Sequence, residues 1–128
     1  MRCLIVDDSA AFVDAARGLL ERQGITVVGV ASTSAEALRY FDELRPDVTL
    51  VDVDLGGESG FELAEQLQRP GGPTPSPVIL ISTHAAQDFV DMIETSRAVG
   101  FLSKSALTCG AILDLVRASV RLEEGDHR

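Results

Sequence analysis

Residues 48–54 read Val-Thr-Leu-Val-Asp-Val-Asp, with one carboxylate, Asp52, inside an apolar run and a second, Asp54, directly behind it. The run is short and rich in Val and Leu, which is typical of a strand buried on both faces of a parallel sheet. Burying a charge without a partner is costly, so we expect Asp52 to have a partner or a chemical role.

Similar short apolar runs recur on both sides of this stretch and predict the other strands. Together the runs are residues 3–6, 25–31, 48–53, 78–81 and 99–102. Helical patterns follow them at about residues 10–23, 33–45, 59–67, 86–93 and 106–122. This alternation predicts one α/β domain, a doubly wound parallel sheet with right-handed crossovers. We place the domain at residues 1–122, with a short tail at 123–128 and a Pro/Gly-rich surface loop at 69–77.

Helix ends are marked by small polar side chains that can accept a hydrogen bond from the first turn. The predicted N-caps are Ser9, Thr33, Ser59 and Ser105. In the first helix, Phe12 falls on the apolar face, so we expect it to pack in the core.

Composition narrows the classes of function. The formal net charge of −9 argues against a general nucleic-acid surface and favours a cation site or a basic protein partner. No signal peptide and no apolar stretch long enough for a membrane span is present, so the expected location is the cytoplasm. Only one lysine, Lys104, occurs among the basic residues. Cys3 and Cys109 are expected to be buried structural thiols.

Polar side chains follow four of the predicted strands where these strands end. Asp7 and Asp8 end the first run, Ser82 and Thr83 follow the fourth, and Ser103 with Lys104 follow the fifth. Ligands of an open parallel sheet bind outside the carboxyl ends of its strands. We therefore expect these residues to meet Asp52 at one edge of the sheet.

Asp7, Asp8 and Asp52 would repel one another unless a cation compensates their charges. Mg²⁺, or Mn²⁺ in its place, suits carboxylates that also face phosphate oxygens. Asp52 can act as a nucleophile toward phosphorus, while Lys104 and Ser82 can bind phosphoryl oxygens. These residue types fit phosphoryl transfer, which depends mainly on positioning and charge neutralisation.

Four motifs, residues 4–8, 50–52, 77–82 and 100–104, resemble those of the receiver domains of two-component response regulators in order and in spacing. The resemblance covers nearly the whole chain. It implies a flavodoxin-like (βα)5 fold with strand order 2-1-3-4-5.

The resemblance also implies roles for particular residues. Asp52 would be phosphorylated, and the metal would be held by Asp7, Asp8, Asp52 and the backbone carbonyl of Asp54. Ser82 or Thr83, Lys104 and Phe101 match the phosphoryl-binding and switch residues. Asp54 and His84 occupy positions that tune how long the phosphoryl group lasts in this family.

The expected function is therefore phosphorelay signalling and not enzyme turnover of a separate substrate. A sensor histidine kinase would be the phosphoryl donor, and a downstream protein would be the target. A homodimer through the fourth helix, fifth strand and fifth helix is a further expectation from the resemblance. Binding to nucleic acid or to a membrane is not expected.

This chain departs from the common receiver pattern at two positions. Gly56 stands where many receivers have a proline, and Ser105 replaces the proline that often follows the lysine. A cis peptide bond after Lys104 is therefore not expected, because a non-proline cis bond costs about 2.5–4 kcal/mol.

Three other classes of protein share part of this pattern. The Asp52-Val53-Asp54 sequence is the D-x-D of haloacid-dehalogenase-like phosphatases, but there the motif follows the first core strand. A flavodoxin-type binding module would need a phosphate loop where this chain has Asp7-Asp8. A receiver fold retained for phosphorylation-independent interaction also stays open.

Overall fold

The computed structural model describes residues 1–68, 76–84, 89–95 and 98–125. Most of the predicted loop at 69–77 and the predicted start of the fourth helix lie outside these ranges. The strands are β1 (Arg2–Val6), β2 (Thr26–Ala31), β3 (Val48–Asp52), β4 (Asp54–Leu55), β5 (Glu58–Ser59), β6 (Val78–Ser82) and β7 (Gly100–Ser103). The helices are α1 (Ala10–Arg22), α2 (Ser34–Leu44), α3 (Gly60–Leu67), α4 (Val90–Thr95) and α5 (Cys109–Gly125).

The main sheet has five parallel strands in the order β2-β1-β3-β6-β7. This order confirms the predicted 2-1-3-4-5 arrangement, since β4 and β5 form a separate small hairpin. The strand register aligns the ends of the strands that carry Asp52, Ser82 and Lys104. Asp52 of β3 pairs with Ile81 of β6, and Ser82 of β6 pairs with Ser103 of β7, the residue before Lys104. The carboxyl ends of β3, β6 and β7 therefore share one edge.

Two apolar layers lie on the two faces of the sheet. One includes Val13, Leu20 and Ile112 from α1 and α5. The other includes Phe41 from α2 and Leu63 from α3, and Ile93 of α4 packs against it. β1, β3 and β6 are buried along nearly their whole length, as the unbroken apolar runs predicted. No helix in the described parts of the chain is long and apolar enough to cross a membrane.

Three of the predicted N-caps are confirmed. The hydroxyls of Ser9, Thr33 and Ser59 accept hydrogen bonds from the backbone N–H groups of Phe12, Glu36 and Glu62. These bonds satisfy donors that the first turn of each helix leaves unpaired.

The prediction that Ser105 caps the last helix is wrong. Residues Lys104–Ala106 form a 3-10 helix, and α5 begins at Cys109. The cap is Thr108, whose hydroxyl accepts a hydrogen bond from Ala111 N–H at 3.0 Å. α5 also continues past the predicted end at Leu122. The fourth helix was predicted at 86–93. Its described part is Val90–Thr95, and the predicted start at 86–88 lies outside the described residues.

The β4–β5 hairpin was not predicted from the sequence. Its turn residues, Gly56 and Gly57, have φ angles of +58° and +100°. Positive φ at both central positions is what a type I′ hairpin turn requires, and Gly-Gly provides it without steric cost. The proline common at the Gly56 position could not adopt this conformation, since its ring fixes φ near −65°.

Gly60 joins this hairpin to α3 through a close backbone approach. A Cβ atom at Gly60 would lie 1.9 Å from the carbonyl oxygen of Asp52, so no side chain fits. The Gly60 N–H donates to the carbonyl of Val53 at 2.9 Å. Gly60 therefore allows α3 to begin directly against the end of β3.

Candidate functional site: carboxylates and a lysine at the sheet edge

The carboxylates predicted to meet do so at the carboxyl edge of the sheet. Asp7 follows β1 and Asp52 ends β3, and each of Asp7, Asp8 and Asp52 offers an oxygen within 4.8 Å of the others. Asp7 and Asp52 are buried, with 2% and 7% of their surface exposed, whereas Asp8 is exposed. The fold thus holds two negative charges at low solvent access.

Backbone donors orient these carboxylates. Oδ1 of Asp7 accepts a hydrogen bond from Ser9 N–H at 2.8 Å. Oδ1 of Asp52 accepts one from Asp54 N–H at 3.2 Å. Each bond leaves the Oδ2 atom of the same carboxylate directed to other partners.

The only lysine of the chain lies between the two buried carboxylates. Lys104 Nζ is 2.6 Å from Asp7 Oδ2 and 3.2 Å from Asp52 Oδ2. Only 12% of the Lys104 side-chain surface is exposed. The 3-10 helix that follows β7 places the ammonium here. This single positive charge offsets only part of the negative charge of the three carboxylates.

Burial has opposite effects on the two sides of this ion pair. It raises the pKa of Asp52, assisted by the charge of Asp7, although hydrogen bonds from Asp54 and Lys104 oppose the rise. Burial alone would lower the pKa of Lys104, but the close contact with the Asp7 carboxylate and the charge of Asp52 outweigh it and raise this pKa. The ammonium is therefore firmly charged, while the Asp52 carboxylate is incompletely compensated.

The three carboxylates form a cluster that can hold a metal ion. Asp7 Oδ2 is fully buried and accepts no hydrogen bond from the described residues. Its partner is the ammonium of Lys104, with which it forms an ion pair. A buried anionic oxygen in that condition, next to two further carboxylates, is the donor set that a hard divalent cation prefers.

The two predicted hydroxyls differ in their placement. Ser82 is 2% exposed at the end of β6, and its Oγ accepts a hydrogen bond from His84 N–H at 3.0 Å. Thr83, the next residue, is exposed. Ser82 is thus the hydroxyl that the sheet buries beside the end of β3.

Phe101 is half-buried on β7, and its ring is 6.1 Å from that of Phe89. The Phe89 ring also contacts Phe61 at 5.8 Å and His84 at 6.0 Å, the latter edge-on. Phe89 therefore connects the start of α3, the end of β6 and β7. Sequence reasoning gave Phe89 only a place in the fourth helix, because no local pattern shows which rings will meet.

The two tuning candidates, Asp54 and His84, are both exposed and line one pocket. The pocket has a volume of about 430 Å³, and its other lining residues are Val53, Ser59, Phe61, Phe89 and Met92. The structure thus brings Asp54 and His84 together at one pocket, which Val53 at the end of β3 also lines.

Phe12 belongs to the site although it was predicted only as a core residue. Lys104 Nζ lies 4.4 Å from the centroid of the Phe12 ring, which is cation–π distance. The sequence contains no signal for this contact, because α1 and the end of β7 are far apart along the chain.

Comparison with known proteins supports the same interpretation. The family model described as response regulator receiver domain matches residues 3–116. A protein-glutamate methylesterase/protein-glutamine glutaminase of Koribacter versatilis is 30% identical over 95% of this chain and 35% of its own length. An uncharacterized transcriptional regulatory protein of Bacillus subtilis is 31% identical over 98% of this chain and 60% of its own length. The chain thus spans about a third to three-fifths of these relatives.

A solved structure agrees in fold as well. A two-component response regulator of the LuxR family from Aurantimonas superposes with a TM-score of 0.80 at 27% identity, covering 91% of this chain and 85% of that one.

Proposed function

Since this chain belongs to the response regulator receiver domain family and thus to phosphorelay signal transduction, we propose that Asp52 is its phosphoryl acceptor. The observation that carries the proposal is the position of the Asp52 carboxylate. It is buried at the sheet edge, grouped with Asp7 and Asp8, and only 3.2 Å from the sole lysine. Receiver domains are in general not enzymes, so the phosphoryl group is expected to act as a signal.

Asp7, Asp8, Asp52 and the backbone carbonyl of Asp54 would hold a divalent cation, Mg²⁺ or Mn²⁺. Their oxygen donors fit such an ion, and the buried Asp7 Oδ2 gives it a reason to bind. When bound, the ion neutralises negative charge on the carboxylates and on the incoming phosphoryl group.

In the transfer step, a carboxylate oxygen of Asp52 forms a bond to phosphorus. The bond between phosphorus and the donor nitrogen of a phosphohistidine breaks, and its electron pair leaves with the imidazole. With a small acyl phosphate, the bond that breaks is P–O and the carboxylate leaves. Lys104 offers an ammonium to the phosphoryl oxygens from the side of Asp7, and its raised pKa keeps it charged.

The switch would start at Ser82. Its hydroxyl is buried at the end of β6 and can turn from its present bond with His84 N–H to donate to a phosphoryl oxygen. Phe101 lies on the adjacent strand, half-buried against Phe89, and would follow. The surface of α4, β7 and α5 would then change, which is the surface offered to a downstream protein or to a second copy.

The phosphoryl donor would be a sensor histidine kinase in the cytoplasm. Two free, buried cysteines fit a reducing compartment. Burial, together with the nearby Cys109, raises the pKa of Cys3 to about 12, so this thiol is unreactive.

Intact mass after incubation with acetyl phosphate and Mg²⁺ tests the proposal. Wild type should gain the mass of one phosphoryl group, and a chelator should prevent this gain. Asp52→Asn should gain no mass. Asp42→Asn is the matched control, because it removes an exposed carboxylate on α2 that is not part of the cluster. Undiminished labelling of Asp52→Asn would refute the assignment. No labelling of wild type, even by kinases, would favour the phosphorylation-independent interaction domain.

A further inference from the structure

The ammonium of Lys104 has a third neighbour besides the two carboxylates. The face of the Phe12 ring lies 4.4 Å from Nζ, measured to the ring centroid. Phe12 sits in the first turn of α1, where the Ser9 cap accepts a hydrogen bond from its N–H. It is half-buried, so the ring contacts the core on one side and the ammonium on the other.

We propose that Phe12 is a positioning residue that holds the Lys104 ammonium beside Asp52 through its ring face. This inference rests on the proposed function of Asp52 and adds a residue that the function does not assign. The negative face of an aromatic ring attracts a cation, and the attraction grows when water is excluded. Lys104 meets that condition, with 12% of its side chain exposed.

The ring becomes important because the other contacts of the ammonium compete with the metal. Nζ is closest to Asp7 Oδ2, at 2.6 Å, and Asp7 is one of the carboxylates expected to take the cation. If a metal ion were bound to that oxygen, the contacts left to the Lys104 ammonium within the described residues would be Asp52 and the Phe12 ring. A flexible four-carbon side chain with one remaining partner would otherwise lose its place at the phosphoryl group.

A leucine at position 12 separates this role from ordinary packing. Phe12→Leu keeps an apolar side chain on α1 but removes the π face, whereas Phe12→Tyr keeps the face. Leu19→Ala serves as the control for lost packing, since Leu19 is also half-buried on α1.

Because Lys104 is the only lysine, selective isotope labelling of lysine gives one set of NMR side-chain signals, all from this residue. In unphosphorylated wild type, the ring current of Phe12 should shift the ε-methylene protons upfield. The shift should persist in Phe12→Tyr and Leu19→Ala and should disappear in Phe12→Leu. An unchanged signal in Phe12→Leu would overturn the proposed contact.

The functional readout is the rate of labelling by acetyl phosphate at saturating Mg²⁺. Phe12→Leu should lower the rate at saturating donor by about three- to tenfold, and Phe12→Tyr should stay near wild type. In a Lys104→Met background, Phe12→Leu should have no further effect, because the ring acts through the ammonium.

The outcomes separate this inference from the proposed function. If wild type accepts no phosphoryl group, the proposed function fails whatever Phe12 does. If wild type is labelled and Phe12→Leu is labelled equally fast, the Phe12 inference alone fails. Two results would mean that Phe12 has a packing role only. In the first, the labelling rate falls in Phe12→Leu and also in Phe12→Tyr. In the second, Phe12→Leu lowers the rate of the Lys104→Met variant by the same factor as it lowers the rate of wild type.

Discussion

The two sides of Asp52 are built differently. On the lysine side, formed by Asp7, Lys104 and Phe12, charges are paired at 2.6 Å and 3.2 Å, and little water reaches them. On the hairpin side, formed by Asp54, His84 and Phe89, the carboxylate and imidazole are exposed at the rim of an aromatic-walled pocket. Asp52 thus has a buried ion pair on the lysine side, whereas the polar side chains of the hairpin side are exposed.

Under the proposed function, this difference would separate binding of the phosphoryl group from the timing of its loss. Buried charges interact strongly, because little solvent screens them, whereas exposed charges a few ångströms apart contribute little. Substitutions on the lysine side should therefore change whether the chemistry occurs. Substitutions on the hairpin side should change it by small factors.

The largest effect is expected on the lysine side. Lys104→Met should slow labelling by about a hundredfold or more, since a preorganised cation at the phosphoryl group is lost. Its affinity for Mg²⁺ should rise, because the ammonium no longer competes for Asp7 Oδ2. Rates by intact mass and affinity by calorimetry check both, with Arg17→Met, an exposed site on α1, as the control for net charge. Weaker Mg²⁺ binding by Lys104→Met would contradict the competition.

An intermediate effect is expected at the junction of the two sides. Gly60→Ala should lower the free energy of unfolding by about 2 kcal/mol or more, because its Cβ would meet the Asp52 carbonyl at 1.9 Å. Gly57→Ala is the comparison: it has positive φ but nothing within 4 Å of a new Cβ, so about 1 kcal/mol is expected. Denaturant titrations measure both, and equal costs would argue against the close approach at Gly60.

The smallest effect concerns the pH dependence of stability. Folding raises the pKa of Asp52, mainly through burial, so the folded protein holds this proton more tightly than the unfolded chain. The resulting stability is present below the ordinary aspartate pKa and is lost as pH rises through the folded value. At neutral pH, Asp52→Asn should therefore melt a few degrees above wild type without metal, and this advantage should shrink in acid.

Added Mg²⁺ should reverse the order, because it compensates the Asp52 charge in wild type only. Thermal melts across pH, with and without the ion, measure this. If Asp52→Asn melts below wild type at neutral pH in a chelator, Lys104 compensates the carboxylate more fully than the geometry indicates.

The lysine side was predictable from the sequence, except for Phe12. Asp7, Asp52 and Lys104 each lie at or near the end of a recognisable apolar run, and the carboxyl ends of parallel strands meet at one edge of the sheet. The Phe12 contact depends on how α1 sits against the end of β7, which no local pattern encodes.

The hairpin side was less predictable. The Gly56-Gly57 pair is a sequence signal for a type I′ turn, but Gly56 was interpreted only as a departure from proline and Gly57 was not considered. The meeting of Asp54 and His84 at one pocket depends on that turn and on the Phe89 ring, which packs through tertiary contacts. The Thr108 cap was missed because the 3-10 helix delays the start of α5.

The most direct test of the central claim is to locate the phosphoryl group. Wild type labelled with acetyl phosphate and Mg²⁺ can be reduced with borohydride, which converts an aspartyl phosphate to homoserine, and then sequenced by tandem mass spectrometry. Homoserine at position 52, with Asp7, Asp8 and Asp54 intact, is the predicted result. Homoserine at any of those other positions, with Asp52 unmodified, would contradict the account.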